Sequence, residues 1–113
     1  MLNSVNIAGR MAGDPRAKET ASGVLCCTFT LACERDRPRP DGTRPVDWID
    51  CVIFGKGAQF VRDTFRTGDE LSVKGALRSL TRTDRDGTRH MKWEVECEHV
   101  YFGRKKSRNE IVP

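Results

Sequence analysis

An all-β chain with a single helix is what this sequence predicts, on three observations. Stretches of alternating apolar and polar residues recur along it, the two-residue period of half-buried strands. Turn-forming clusters rich in Gly, Pro and Asp separate those stretches. Only one segment, just after Phe54, changes to a helical period.

The first strand is carried by Leu2, Val5 and Ile7 and ends at Gly9-Arg10, before the turn signal "GDPR" at 13–16. A second turn, "ASG" at 21–23, leads into "VLCCTFTLACER", with Phe29 and Leu31 inward. The segment "DRPRPDGTRP" at 36–45 holds three prolines and a glycine, and so reads as a loop. The third strand, 46–54, sets Ile49, Cys51 and Ile53 on a core face. Trp48, Asp50, Val52 and Phe54 fall on the other face, where a strand meeting only water would be polar.

Ala58, Val61 and Phe65 then form an apolar stripe on a helix of about three turns, with Gly68 expected as its C-cap. In "ELSVKGALRSLTR" Leu71, Val73 and Leu77 are expected inward and Lys74, Arg78 and Arg82 outward. "DRDGTR" predicts a hairpin with Asp86-Gly87 as a two-residue turn. "MKWEVECEHVYF" is the last strand, and residues 104–113 read as a short basic tail after a domain spanning 1–103. Five strands with one helix between strands 3 and 4 is the layout of the five-stranded OB-fold, a Greek-key barrel.

Composition narrows the function classes. At 113 residues, 37% hydrophobic and 32% charged, the chain suits one soluble domain. It has no apolar run near the roughly 20 residues that cross a bilayer and no signal-peptide pattern at its start, so a cytoplasmic protein is expected. Its five cysteines (26, 27, 33, 51 and 97) are odd in number and lack C-x-x-C spacing, so neither a disulfide framework nor a zinc site on Cys51, Cys97 and His99 is expected. No cofactor is implied. Asp47 and Asp50 do not converge as nuclease carboxylates would, and His90 and His99 lack a nucleophile at catalytic spacing, so the chain is not read as an enzyme.

Charge is concentrated. Between Lys74 and Lys92 lie Lys74, Arg78, Arg82, Arg85, Arg89 and Lys92 against Asp84 and Asp86, which equals the whole net charge of +4. A basic hairpin suggests a polyanion. In an OB-fold that hairpin flanks the binding face on strands 2 and 3, where Trp48 and Phe54 lie. Exposed rings beside arginines are what unpaired bases and their phosphates require.

The segments "MLNSVNIAGRM", "TASG", "FTLACER", "DWIDCVIFGKGA", "GDELSVKGALR" and the "EV" at 94–95, in this order and spacing, resemble the bacterial single-stranded-DNA-binding protein family. The resemblance covers about residues 2–103. It implies an OB-fold homotetramer, nucleoid-associated, that coats single-stranded DNA without sequence specificity during DNA replication, recombination and repair. A dimeric accessory replication protein or a single-stranded-RNA binder is the alternative within the fold.

Carried onto this sequence, the resemblance makes Trp48 and Phe54 base-stacking residues and Lys56 a phosphate contact. Arg35, Arg37, Lys74, Arg78, Arg82, Arg85 and Arg89 complete the expected nucleic-acid-binding set. Arg37 and Arg82 stand where relatives often carry further aromatics, and a guanidinium can stack or pair with phosphate. Asp50 stands where a basic residue is frequent. The long Gly/Pro/Gln-rich tail and acidic tip of cellular members do not appear before Pro113, so tail-mediated protein partners are not expected. A short phage or mobile-element variant and a truncated tail both fit.

Overall fold

The computed structural model describes residues 1–104, and the expected tail lies outside them from residue 105 onward. Seven elements follow one another: β1 (Val5–Met11), β2 (Arg16–Glu19), β3 (Leu25–Glu34), β4 (Val46–Phe54), α1 (Lys56–Thr64), β5 (Glu70–Thr83) and β6 (Arg89–Phe102). The sheet order is β1-β5-β6-β4-β3-β2, and pairing of β1 with β3 at Arg10–Ala32 and Met11–Leu31 closes it. The OB-fold is therefore present: β1, β3, β4, β5 and β6 are its five barrel strands. The helix stands between the third and fourth of these, which the additional short strand β2 renumbers as β4 and β5.

Residues 16–19 do not alternate in hydrophobicity and are fully solvent-facing, so no burial signal marks them as a strand. Hydrogen bonding to the edge of β3, from Arg16–Thr28 to Glu19–Leu25, is what orders them.

Inside the barrel, Phe29, Leu31, Cys51, Ile53, Leu71, Val73 and Val95 interlock, and Met11 joins them from β1. The helix plugs one end through Ala58 and Val61, with Phe65 directly behind, all fully buried as the stripe requires. Phe60, Phe65 and Phe102 meet there with ring centroids 5.4–5.7 Å apart. Asp14 in the first turn accepts hydrogen bonds from the Thr67 amide and hydroxyl, each at 2.9 Å, and so ties that turn to the segment after the helix.

Four local expectations are corrected. The helix ends with Phe65 as its C-cap, and Gly68 belongs to the turn that follows. Leu77 keeps inward parity opposite Val95 but is 40% exposed, because β5 has by then run past the strands that would cover it. Val52 has outward parity yet is only 4% exposed, since β4 is paired there on both edges, with Thr28 and Glu96 beside it. The hairpin loop has three residues: Asp84 pairs with Thr88, and the Gly87 amide donates back to the Asp84 carbonyl at 3.0 Å. Gly87 takes the left-handed conformation at φ 87° that completes such a turn.

Between β5 and β6 the register slips at Lys74/Gly75, leaving Glu98 as the extra residue of a bulge. A Cβ on Gly75 would stand 2.1 Å from the Glu96 carbonyl oxygen, so backbone must move to admit it. Gly75→Ala is expected to destabilise the barrel by about 1–3 kcal/mol, as overpacking does, read as a lower urea midpoint at unchanged slope.

Candidate nucleic-acid interface

The alternation of β4 builds the site. With Ile49, Cys51 and Ile53 committed to the interior, Trp48 and Phe54 must leave the barrel on the other face, and they are 66% and 44% exposed. They stand six positions apart on one strand, about 20 Å at the usual rise. Trp48 lies opposite Ala32 of β3 and forms a wall of an open groove with Gly9, Arg10 and Ser72. Phe54 lies opposite Cys26, whose other neighbour is Lys18 of β2. Lys56 opens the helix two residues later and is exposed.

A second groove on the same outer face is lined by Arg16, Thr28, Thr30, Asp50, Lys92 and Glu94. Arg16 and Lys18 are thus cations of this face that sequence reasoning missed. The signal was weak: two basic residues alternating over four positions, "RAKE", in a stretch read as a turn and its aftermath.

The basic residues sort into engaged and unengaged ones. Arg35 makes a forked pair with Asp47, with Nη2 and Nε 2.9 and 3.0 Å from the carboxylate oxygens. Arg44 donates to the carbonyls of Arg35 and Asp36. Both therefore hold the 36–45 loop closed at its base, and Arg37 projects from it with no ion-pair partner among the described residues. On the β5–β6 hairpin, Arg78 meets Glu96 at 3.8 Å, Arg82 meets Asp84 at 3.6 Å, and Lys92 meets Asp50 at 3.3 Å. His90 also binds Asp84, at 2.5 Å. Asp50 accepts from the Thr30 hydroxyl at 3.0 Å besides.

Arg85 and Arg89 are exposed near the hairpin tip. Lys74 lies apart from the hairpin residues, below the bulge, beside Asn6, Ser72 and Tyr101. The basic residues expected along this segment are therefore distributed over two faces and a turn, and those nearest Trp48's face are matched by carboxylates.

Other polar and thiol groups serve the fold. Burial pushes the Cys27 thiol up to about 11. Cys51 and Cys97 point inward, their thiols donating to the Ile49 and Val95 carbonyls at 3.7 and 3.8 Å. The neighbouring Cys97 thiol, then burial, push the Cys51 thiol up. His99 follows the bulge on the outer side, and no three His, Cys, Asp or Glu among the described residues are placed to hold a metal ion.

A Greek-key barrel whose doubly paired strand presents two separated rings beside cationic loops is an OB-fold with an exposed aromatic and basic face. Residues 2–103 match the Single-strand binding protein family, and the chain belongs to that family. It is 38% identical over 102 residues to Single-stranded DNA-binding protein 1 of Staphylococcus aureus (strain COL), covering 90% of this chain and 61% of that one. It is 36% identical over 109 residues to Single-stranded DNA-binding protein 2 of Listeria monocytogenes, covering 96% and 68%. Against the Single-stranded DNA-binding protein of Enterococcus faecalis it is 36% identical over 110 residues, covering 97% and 58%. The chain thus spans about three fifths of the length of the first of these relatives.

The loop lock gives a pH test. The Arg35 guanidinium holds the Asp47 carboxyl below its ordinary 3.8. A depressed carboxylate stabilises the fold above its unfolded value and loses that contribution as pH falls through the folded one. Amide protection in residues 36–45 should therefore persist at pH 5 and fall below about pH 4. Asp47→Asn should lower it already at pH 7, without the acid step.

Proposed function

We propose that this chain binds and coats single-stranded DNA without sequence specificity, as a non-catalytic partner of DNA replication, recombination and repair in the cytoplasm. The observation that carries the reading is the outward pair Trp48 and Phe54 on β4. Rings held on a central strand lose little freedom when a base stacks on them. Each stack is worth about 1–3 kcal/mol whatever the base, because every base has a π-face. Arg37, Lys56, Arg16 and Lys18 surround this line of rings with phosphate-pairing groups.

Assembly of several copies belongs to the same reading. β1 pairs with β5 from Val5 to Arg10 on one edge, while on the other it meets β3 only at Arg10 and Met11. Its remaining edge carries backbone groups that a second copy could pair, and closed symmetry then gives a dimer or a dimer of dimers. The tetramer is the form the family resemblance implies.

Titration with fluorescent oligo(dT), with mass read by light scattering, tests both parts. Trp48→Ala should weaken binding by about 1–3 kcal/mol per site and leave the fold intact. Unchanged affinity would remove Trp48 from the site, and a monomeric mass at micromolar concentration would remove the assembly. Tighter binding of a matched RNA oligonucleotide would favour the RNA alternative.

Salt dependence separates the two arginines that replace aromatics. Each phosphate neutralised on a single strand contributes about −0.7 to the slope of log affinity against log salt. Arg37 has no carboxylate to leave, so Arg37→Ala should flatten the slope by about that amount. Arg82 already shares its charge with Asp84, so Arg82→Ala should change the slope by less. Equal changes would show that phosphate displaces Asp84.

A further inference from the structure

The β5–β6 hairpin extends past the barrel as an arm with two unlike faces. Register fixes them. Arg78, Leu80 and Arg82 share one face with Glu94, Lys92 and His90; Leu77, Ser79, Thr81 and Thr83 share the other with Val95, Trp93, Met91 and Arg89. The first face is continuous with Trp48's side of the sheet, since Lys92 reaches Asp50.

Charge on the two faces is the reverse of what the basic residues alone suggest. On the first face Arg78, Arg82 and Lys92, with Arg16 in the groove beside them, meet as many carboxylates, Asp50, Asp84, Glu94 and Glu96. On the second face no register position from Leu77 to Thr83 or from Arg89 to Val95 is acidic, and Arg89 has no ion-pair partner among the described residues. That face also carries the chain's second indole: Trp93 is 55% exposed, with Met91 beside it 64% exposed.

We propose that single-stranded DNA, bound as in the reading above on which this inference rests, also crosses this second face of the arm, stacking a base on Trp93 and pairing a phosphate with Arg89. Trp93 and Arg89 lie four residues apart on one strand face, about 13 Å. Met91 between them supplies apolar contact for a sugar or base edge. The DNA then passes around the arm, using Trp48 on one side and Trp93 on the other. A second copy of the chain is the competing occupant, but an unpaired arginine with no carboxylate on the same face favours a polyanion.

Trp48→Phe leaves Trp93 as the sole indole and keeps a ring at position 48. In that protein saturation with oligo(dT) should quench the remaining tryptophan emission. Trp93→Ala should weaken binding about 5- to 140-fold, Trp93→Phe should retain most of the affinity, and Arg89→Ala should flatten the salt slope by about 0.7. An unquenched indole with unchanged affinity in Trp93→Ala overturns the proposal. So does a drop in mass of Trp93→Ala without DNA, which would assign the face to a subunit contact. If the unaltered chain fails to bind oligo(dT) at all, the single-strand reading itself falls; if it binds and Trp93 stays silent, only the arm's role falls.

Discussion

The pairing of β4 on both of its edges is the constraint from which the interface follows. Nine consecutive pairs tie it to β3, from Cys26–Phe54 to Glu34–Val46, and Cys51 and Val52 tie it to β6. A one-residue slip would send Ile49, Cys51 and Ile53 into water and Trp48 and Phe54 into a barrel already filled. Burying the three inward side chains contributes several kcal/mol, at about 1.5–3 kcal/mol for a large aliphatic one. The exposed rings are therefore held in place by the core beneath them, and the apolar surface they present to water is a by-product of a register that cannot move.

Against that fixed line of rings, the ionic groups are soft. The pairs Arg78–Glu96, Arg82–Asp84 and Lys92–Asp50 are long, between 3.3 and 3.8 Å, and all six side chains are substantially exposed. Such pairs are worth about 0–1 kcal/mol each and are screened by salt. A phosphate can displace their carboxylates at small cost but gains correspondingly less than from an unengaged cation. The forked Arg35–Asp47 pair differs in geometry. It joins the two ends of the 36–45 loop, and so decides where Arg37 can stand. Arg35 thus bears on the candidate interface through the loop it shapes, which charge counting cannot separate from phosphate pairing.

Much of the architecture was legible because burial dictates period. The barrel strands, the helical stripe of Ala58, Val61 and Phe65, and the two-faced β4 all have one face against the core. The misses fall where burial is absent. β2 has no buried side chain, so its order depends on hydrogen bonds to β3 that composition does not encode. Leu77 obeys parity, but parity cannot say where the barrel stops. Whether Asp84 serves Arg82 and His90 or simply faces water is decided by side chains across a register that no local pattern specifies. Trp93 was hidden in the same way: its position two before Val95 reads as core, and only the overrun of the strands leaves it in solvent.

That overrun raises the question of what keeps the arm ordered, because a two-stranded ribbon alone is marginal in water. Each face contributes differently. On the Trp93 face, Ser79–Trp93 and Thr81–Met91 are cross-strand pairs of a β-branched or small residue with a large one. On the opposite face, Asp84 gathers Arg82 and His90 just before the turn, while Lys92 ties the arm to Asp50 on the barrel. The carboxylates that dilute the positive field there add only weak, salt-screened ties to the hairpin, and cross-strand pairing does most of the ordering. The arm's cations without an ion-pair partner among the described residues, Arg85 and Arg89, lie within the three-residue loop and just after it. In the proposed role, an arm already ordered by its cross-strand pairs would meet a flexible polyanion with little folding of its own.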